Sequence, residues 1–250
     1  MPLQPYIRYE QSYNIRTYEI DSSKRITVPA LVTLMQETAM QQVVKLKVSL
    51  WDLEALHMSW VMMRMQLKIK RLPLLGESLT ITTNPAGFEK FFTYRDYRVY
   101  GDNRELIATA SSTWLMMDTE KRKMTRIPDF ILKFEPPTDQ PFLDRPLNKL
   151  SNLNMELSPK TNLKVNWYDL DFNEHLSNVS YIKWMVETMD DSYLRKGELR
   201  QMDIFFRSEA LWKDDIVGSI VQIDDHTFRH RLIRKSDQKE LAAAQSRWSL

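Results

Sequence analysis

Three polar side chains of different chemistry stand at alternate positions of one short stretch. They are Asp171, Asn173 and His175, within Asp169-Leu170-Asp171-Phe172-Asn173-Glu174-His175-Leu176-Ser177-Asn178-Val179. In an extended segment a spacing of two places all three on one face. Imidazole exchanges protons near neutral pH, which suits it to general acid–base work. Ser177 and Asn178 are good N-cap residues for a helix after them. His175 is therefore expected just before a helix N-terminus, where exposed amides and the helix dipole favour developing negative charge. A carbonyl polarised there gains stabilisation of its tetrahedral oxyanion, with one donor worth roughly 3–4 kcal/mol.

The rest of the composition narrows the chemistry. The chain has 250 residues and no cysteine, so disulfides, thiolate nucleophiles and cysteine-held zinc are all excluded. Any hydrolytic nucleophile must be an oxygen, a nitrogen or a water. Gly76, Gly87, Gly101, Gly197 and Gly218 lie far apart, so no phosphate loop, dinucleotide fingerprint or nucleophile elbow can be built from them. A net charge of +2 gives no basic field for nucleic acid. No apolar run is long enough to span a bilayer. The start, Met1-Pro2-Leu3-Gln4-Pro5, has neither a secretory nor a transit pattern, so a cytoplasmic protein is expected.

An internal repeat organises the elements that must position the triplet. Tyr18-Glu19-Ile20-Asp21 resembles Tyr168-Asp169-Leu170-Asp171, and the same offset carries Met35, Glu37 and Thr38 onto Met185, Glu187 and Thr188. Further on, Arg64 through Lys70 lines up with Gln201 through Arg207, and Ile107 through Trp114 with Leu241 through Trp248. Each half reads as a short strand, a helix and several strands. The helices carry Val28, Leu31, Val32 and Met35, or Val179, Ile182, Met185, Val186 and Met189, on one face. Strands alternate at Met65, Leu67, Ile69 and at Ile204, Phe206. The small residues Ala108–Ser112 and Ala242–Ala244 would let a helix lie close to the sheet. One helix on an antiparallel sheet, given twice, predicts an α+β chain; a tandem hotdog fold fits this pattern, as do other α+β arrangements. The expected division is an N-terminal repeat over 1–133, a Pro-rich linker over 134–160 laid across the surface, and a C-terminal repeat over 161–250. The repeat also supplies a control, because the first half has Asp21, Ser23 and Arg25 where the second has Asp171, Asn173 and His175.

The stretch Asp171-Phe172-Asn173-Glu174-His175-Leu176-Ser177-Asn178-Val179-Ser180-Tyr181-Ile182-Lys183-Trp184, closing at Glu187, resembles the signature of plant and bacterial acyl-acyl-carrier-protein thioesterases. Shorter matches in the first half are Arg71-Leu72-Pro73, Gly76-Glu77, Thr113-Trp114 and Arg126-Ile127-Pro128. The resemblance implies a double hotdog that hydrolyses fatty acyl-carrier-protein thioesters, with Asp171, Asn173 and His175 at catalytic positions. The family's downstream Arg-Arg-Glu-Cys reads Arg207-Ser208-Glu209-Ala210 here, so Glu209 carries over and the cysteine does not. Ser177 and Lys183 also depart from the family's Asn and Gly.

With no thiol in the chain, the expected nucleophile is water. His175 and Glu209 would hold and deprotonate it, Asp171 would orient His175 or share the proton, and Asn173 with the helix-start amides would bind the oxyanion. The sequence leaves open which of the three accepts the proton. The expected partner is an acidic acyl carrier protein bearing a fatty acyl chain, met by surface Lys and Arg. Neither cofactor nor metal is implied, and the architecture allows a homodimer. Met62, Met63 and Met65, with Trp60 and Trp114, are candidates either for an acyl tunnel or for ordinary core. His226 and His230 have a helical metal spacing but lie in a strand-like segment. His57 reads as structural and Asp214-Asp215 as a solvated turn. Competing functions are an acyl-CoA thioesterase, a non-catalytic acyl-binding hotdog protein and a hotdog dehydratase.

Overall fold

The structure is a computed structural model describing residues 8–134, 136–146, 150 and 160–250. Met1–Pro5, Pro159 and much of the expected linker lie outside the described residues. The chain divides into two compact units, one holding the chain up to Pro146 apart from Gln66–Ile69, which cluster with the remainder.

The first unit opens with β1 (Tyr9–Asn14), a single 3-10 turn (Thr17–Glu19), α1 (Val28–Lys45) and α2 (Leu50–Glu54). It continues through β2 (Met58–Ile69), β3 (Ser78–Glu89), β4 (Phe92–Tyr100), β5 (Leu106–Asp118), β6 (Lys123–Met124) and α3 (Asp129–Leu132). The neighbour order is β1-β3-β4-β5-β2, with β6 on β5. The pairs β1–β3, β3–β4 and β4–β5 are antiparallel. The second unit repeats the plan with β7 (Lys160–Lys164), a 3-10 turn (Trp167–Asp169), α4 (Asn178–Glu187) and α5 (Asp191–Lys196). Its sheet is β8 (Glu198–Phe206), β9 (Asp215–Gln222), β10 (Thr227–Arg234) and β11 (Glu240–Ser249), in the order β8-β11-β10-β9-β7.

Local chemistry explains both long helices. Thr27 caps α1 by accepting the Ala30 amide at 3.2 Å, and Pro29 lies in the first turn, where its missing N–H costs nothing. Ser177 caps α4 in the same way, accepting the Ser180 amide at 3.1 Å. All four apolar positions expected inside α1 are buried. In α4 the buried face is Tyr181, Ile182, Trp184 and Met185, while Val179 and Val186 sit at its edge. The two aromatics contribute more apolar area than the valines, so the helix turns them inward.

The repeat persists in strand register. Tyr97 pairs with Thr83 and Ala110, as His230 pairs with Ile220 and Ala244. Trp114 Nε1 donates to Ser112 Oγ at 2.8 Å, and Trp248 Nε1 to Ser246 Oγ at 2.9 Å. The described part of the Pro-rich segment does more than cross a surface. The Leu143 amide donates to Asp96 Oδ2 at 2.8 Å, and Arg98 Nη2 to the Pro141 carbonyl at 2.6 Å. Asp96 is fully buried there, and burial raises its carboxyl above the ordinary range.

Candidate active site

The triplet lies in a tight turn between the 3-10 turn and α4, not in an extended strand. The Asp171 amide donates to the His175 carbonyl at 2.7 Å, and the Glu174 amide to the Asp171 carbonyl at 3.0 Å. Glu174 takes a left-handed φ of 61° to close the loop. The Asp171 carboxylate folds inward, its Oδ1 accepting the Asn173 amide at 2.8 Å and the His175 amide at 3.3 Å. Alternation along a strand therefore does not bring the three residues together; an aspartate-closed turn does.

His175 is placed from two directions. It bridges to Leu211, and the Leu176 amide donates to the Ala210 carbonyl at 2.8 Å. This contact draws the segment after β8 against the turn and sets His175 Nε2 3.6 Å from Glu209 Oε2. The separation is slightly longer than a hydrogen bond. Both side chains retain solvent access, 28% for His175 and 36% for Glu209. Asn173 is exposed on the same turn. Ala210, at the position of the family's cysteine, is fully buried.

Two further residues hold the Glu209 segment. The Tyr181 hydroxyl donates to the Ser208 carbonyl at 3.0 Å, anchoring the residue before Glu209. Burial pushes that phenol above its ordinary range, so it remains a donor. Arg234 Nη1 donates to the Glu209 carbonyl at 3.2 Å and to Asp214 Oδ2 at 3.1 Å. Asp214 in turn accepts the Leu211 amide at 2.9 Å. It is a paired turn residue, whereas Asp215 beside it is exposed. Tyr181 belongs to the signature and was visible as part of it. Arg234 lies 25 residues after Glu209, with no local pattern to mark it.

Apolar side chains rim the turn without being covered. Trp167, Phe172, Leu211 and Trp212 are about half exposed and Tyr168 is 97% exposed. Trp167 and Trp212 meet edge to face at 5.3 Å.

The remaining candidates separate. His230 is buried on β10 between Thr188 Oγ1 at 3.2 Å and Ser246 Oγ at 2.7 Å, while His226 is exposed. His57 is exposed, 3.4 Å from Glu120. Met62 and Met65 are buried, whereas Trp60, Met63 and Trp114 are partly exposed. Among the described residues no group of three His, Cys, Asp or Glu could hold a metal ion.

Residues 7–134 match the family model of the acyl-ACP thioesterase N-terminal domain, and residues 154–250 that of the C-terminal domain. The chain belongs to the acyl-ACP thioesterase family. It is 27% identical over 265 residues to a chloroplastic acyl-acyl-carrier-protein hydrolase of Cuphea viscosissima, an alignment covering 98% of this chain and 64% of that protein. An Arabidopsis thaliana oleoyl-acyl carrier protein thioesterase is 29% identical over 233 residues, covering 85% of this chain and 62% of the relative. The chain thus spans less than two thirds of these curated relatives. Among solved structures, an acyl-ACP thioesterase from Bacteroides thetaiotaomicron superposes with a TM-score of 0.86 at 16% identity, covering 98% of this chain and 99% of the other. The 12:0-ACP thioesterase of Umbellularia californica gives 0.85 at 19% identity, with 97% of each chain covered. These likenesses establish the double hotdog fold for the family member described here. Among its described residues, no helix is long and apolar enough to cross a membrane.

Proposed function

We propose that the chain hydrolyses fatty acyl thioesters of acyl carrier protein, releasing the fatty acid and the carrier thiol. The observation that carries this reading is the His175–Glu209 pair at 3.6 Å, in a chain of this family that has no cysteine. The pair takes a proton from water as its oxygen attacks the thioester carbon. The tetrahedral intermediate then collapses, the C–S bond breaks and the departing sulfur takes a proton back. The Asn173 side chain and the amides at the start of α4 face the developing oxyanion.

Asp171 has a different task in this scheme. Its Oδ1 is committed to two backbone amides, which supports a role in setting the turn that aims His175 rather than a role as base. The exposed apolar rim receives the chain-bearing arm of the substrate. The N-terminal repeat, up to residue 133, holds the acyl chain, and the C-terminal repeat from 161 performs the chemistry. The acidic carrier protein docks through surface Lys and Arg.

The test is release of fatty acid from a panel of acyl-carrier-protein thioesters of varied chain length, with matched CoA thioesters in parallel. Wild-type rates in both His175→Ala and Glu209→Ala would sink the assignment. A preference for the CoA series would redirect it to an acyl-CoA thioesterase, and tight acyl binding without turnover to a non-catalytic protein.

A further inference from the structure

Arg95 on β4 carries a positive charge for which the described structure gives no counter-charge. Its side chain lies on the helix-facing side of the first sheet, where Nη1 donates to Gln42 Oε1 on α1 at 2.5 Å and to Thr83 Oγ1 on β3 at 3.0 Å. Gln42 and Thr83 are fully buried and neutral. Among the described residues no carboxylate lies within ion-pair distance of Arg95, and Nε and Nη2 have no protein partner. Burial holds the guanidinium below its usual range, and Tyr97 is the group that opposes this. An arginine stays protonated in proteins, so the charge remains, and its partly exposed side chain leaves the unpaired edge open to a ligand.

The fold does not require it. Arg95 pairs across to Ser112 as Phe228 pairs to Ser246, and Thr83 pairs to Tyr97 as Ile220 pairs to His230. The second repeat thus fills the corresponding positions with Phe228 and Ile220, both buried and apolar. An incompletely covered apolar strip lies beside the charge in the first repeat. Val43 and Leu46 follow Gln42 along α1 and, with Trp60, are partly buried against a core of Val48, Leu53, Met116 and Ile131. Trp114, also partly exposed, stands two residues beyond Ser112.

We propose that Arg95, with Gln42 and Thr83, binds a carboxylate carried on an aliphatic chain, whose methylenes lie along Val43, Leu46, Trp60 and Trp114. The unpartnered edge of the guanidinium, Nε with Nη2, matches the two oxygens of a carboxylate. Such a ligand is either a free fatty acid or an acyl chain with a second, distal carboxylate. The inference goes beyond hydrolysis and is read by binding alone, so it stands or falls independently of His175 and Glu209.

Calorimetric titration of the full chain tests it. The probes are saturated fatty acids from octanoate to hexadecanoate, the matched primary alcohols, and monomethyl esters of the matching diacids. At least one carboxylate series is expected to bind about tenfold or more tighter than the alcohols. That preference should vanish in Arg95→Met and in Gln42→Glu, which places a carboxylate against the guanidinium with little change of shape. Tighter fatty acids identify the free acid as ligand, and tighter monoesters the distal carboxylate. Equal affinity for acids, monoesters and alcohols overturns the proposal. So does an undiminished carboxylate preference in folded Gln42→Glu, which keeps the test decisive should Arg95→Met fail to fold.

Discussion

The turns at Asp21–Arg25 and Asp171–His175 share a backbone and differ in chemistry. In both, the aspartate amide donates to the carbonyl four residues on, at 2.8 Å in the first and 2.7 Å in the second. In both, the aspartate Oδ1 accepts the amides of the second and fourth residues after it. Lys24 and Glu174 even share a left-handed φ, 62° and 61°. The segment after the next strand docks alike, through Ile26 to the Pro73 carbonyl and Leu176 to the Ala210 carbonyl. By that register Leu72 stands where Glu209 does. The second turn thus presents His175 to Glu209, while in the first Arg25 folds onto Asp21 at 3.3 Å and, among the described residues, has no second acid within ion-pair distance. The aspartate belongs to the scaffold common to both repeats, and the histidine and glutamate belong to the chemistry proposed for one.

The largest effect should follow from breaking what only the second turn has. His175→Ala and Glu209→Gln should each lower kcat on acyl-carrier-protein thioesters by about 10²–10⁴-fold, the usual contribution of a general acid–base group. The double variant should lose little more than the worse single one, because the pair acts as a unit. Arg25→Ala should stay within a few-fold of wild type. Equal losses at Arg25 and His175 in a fatty-acid release assay would remove the distinction between the turns.

The scaffold was legible where pattern and capping coincide. Ser177 announced the helix after it, and the Trp114/Trp248 register announced the duplicated sheet; the matching Thr27 cap shows only in the structure. The conformation of the Asp171–His175 turn was not legible, because alternate polar residues suit a strand and a turn equally well. Only the φ of Glu174 and the inward-folded Asp171 distinguish them. Glu209 was found through a motif, whereas Arg234, which fixes its carbonyl, reaches it through tertiary folding alone. The Pro content of residues 134–141 suggested an exposed linker. The buried Asp96 that accepts Leu143 lies more than forty residues upstream and carries no local sign of that contact.

This distinction makes the two aspartates a matched pair for stability and an unmatched pair for activity. Asp21→Ala and Asp171→Ala each leave two turn amides without their carboxylate and should each cost about 1–3 kcal/mol in urea unfolding. Only Asp171→Ala should also reduce kcat, through misplacement of His175. A loss of activity in Asp21→Ala at temperatures where the protein remains folded would make the first turn a participant in the chemistry.

The same repeat sets Tyr97 against His230 in the two cores. Burial pushes His230 down to about 3, so it stays neutral inside while the unfolded chain protonates near 6.5. Its contribution is complete above that unfolded value and declines as pH falls toward the folded one, because the unfolded state then binds the extra proton. Between pH 6.5 and 5 the loss should approach about 2 kcal/mol. Tyr97 does not gain a proton in that range. His230→Phe should flatten the decline while lowering stability throughout, since Thr188 and Ser246 each lose a partner. An unchanged slope of urea midpoint against pH would assign the acid sensitivity elsewhere.

The smallest effect separates the helix starts. Thr27→Ala and Ser177→Ala each remove a side-chain acceptor from one backbone amide, worth about 1 kcal/mol. Ser177 has a further connection, because its hydroxyl meets Ser180 Oγ at 2.9 Å and that hydroxyl donates to the Asp169 carbonyl at 3.1 Å. Asp169 closes the 3-10 turn just before the Asp171–His175 turn, so the Ser177 cap ties the start of α4 to the segment carrying Asp171 and His175. Loosening that tie should reduce kcat a few-fold with little change in KM, because the oxyanion donors shift while the substrate contacts away from them remain. Thr27→Ala should leave both constants alone. A pure KM effect in Ser177→Ala would instead assign the start of α4 to substrate binding, and move oxyanion stabilisation to Asn173.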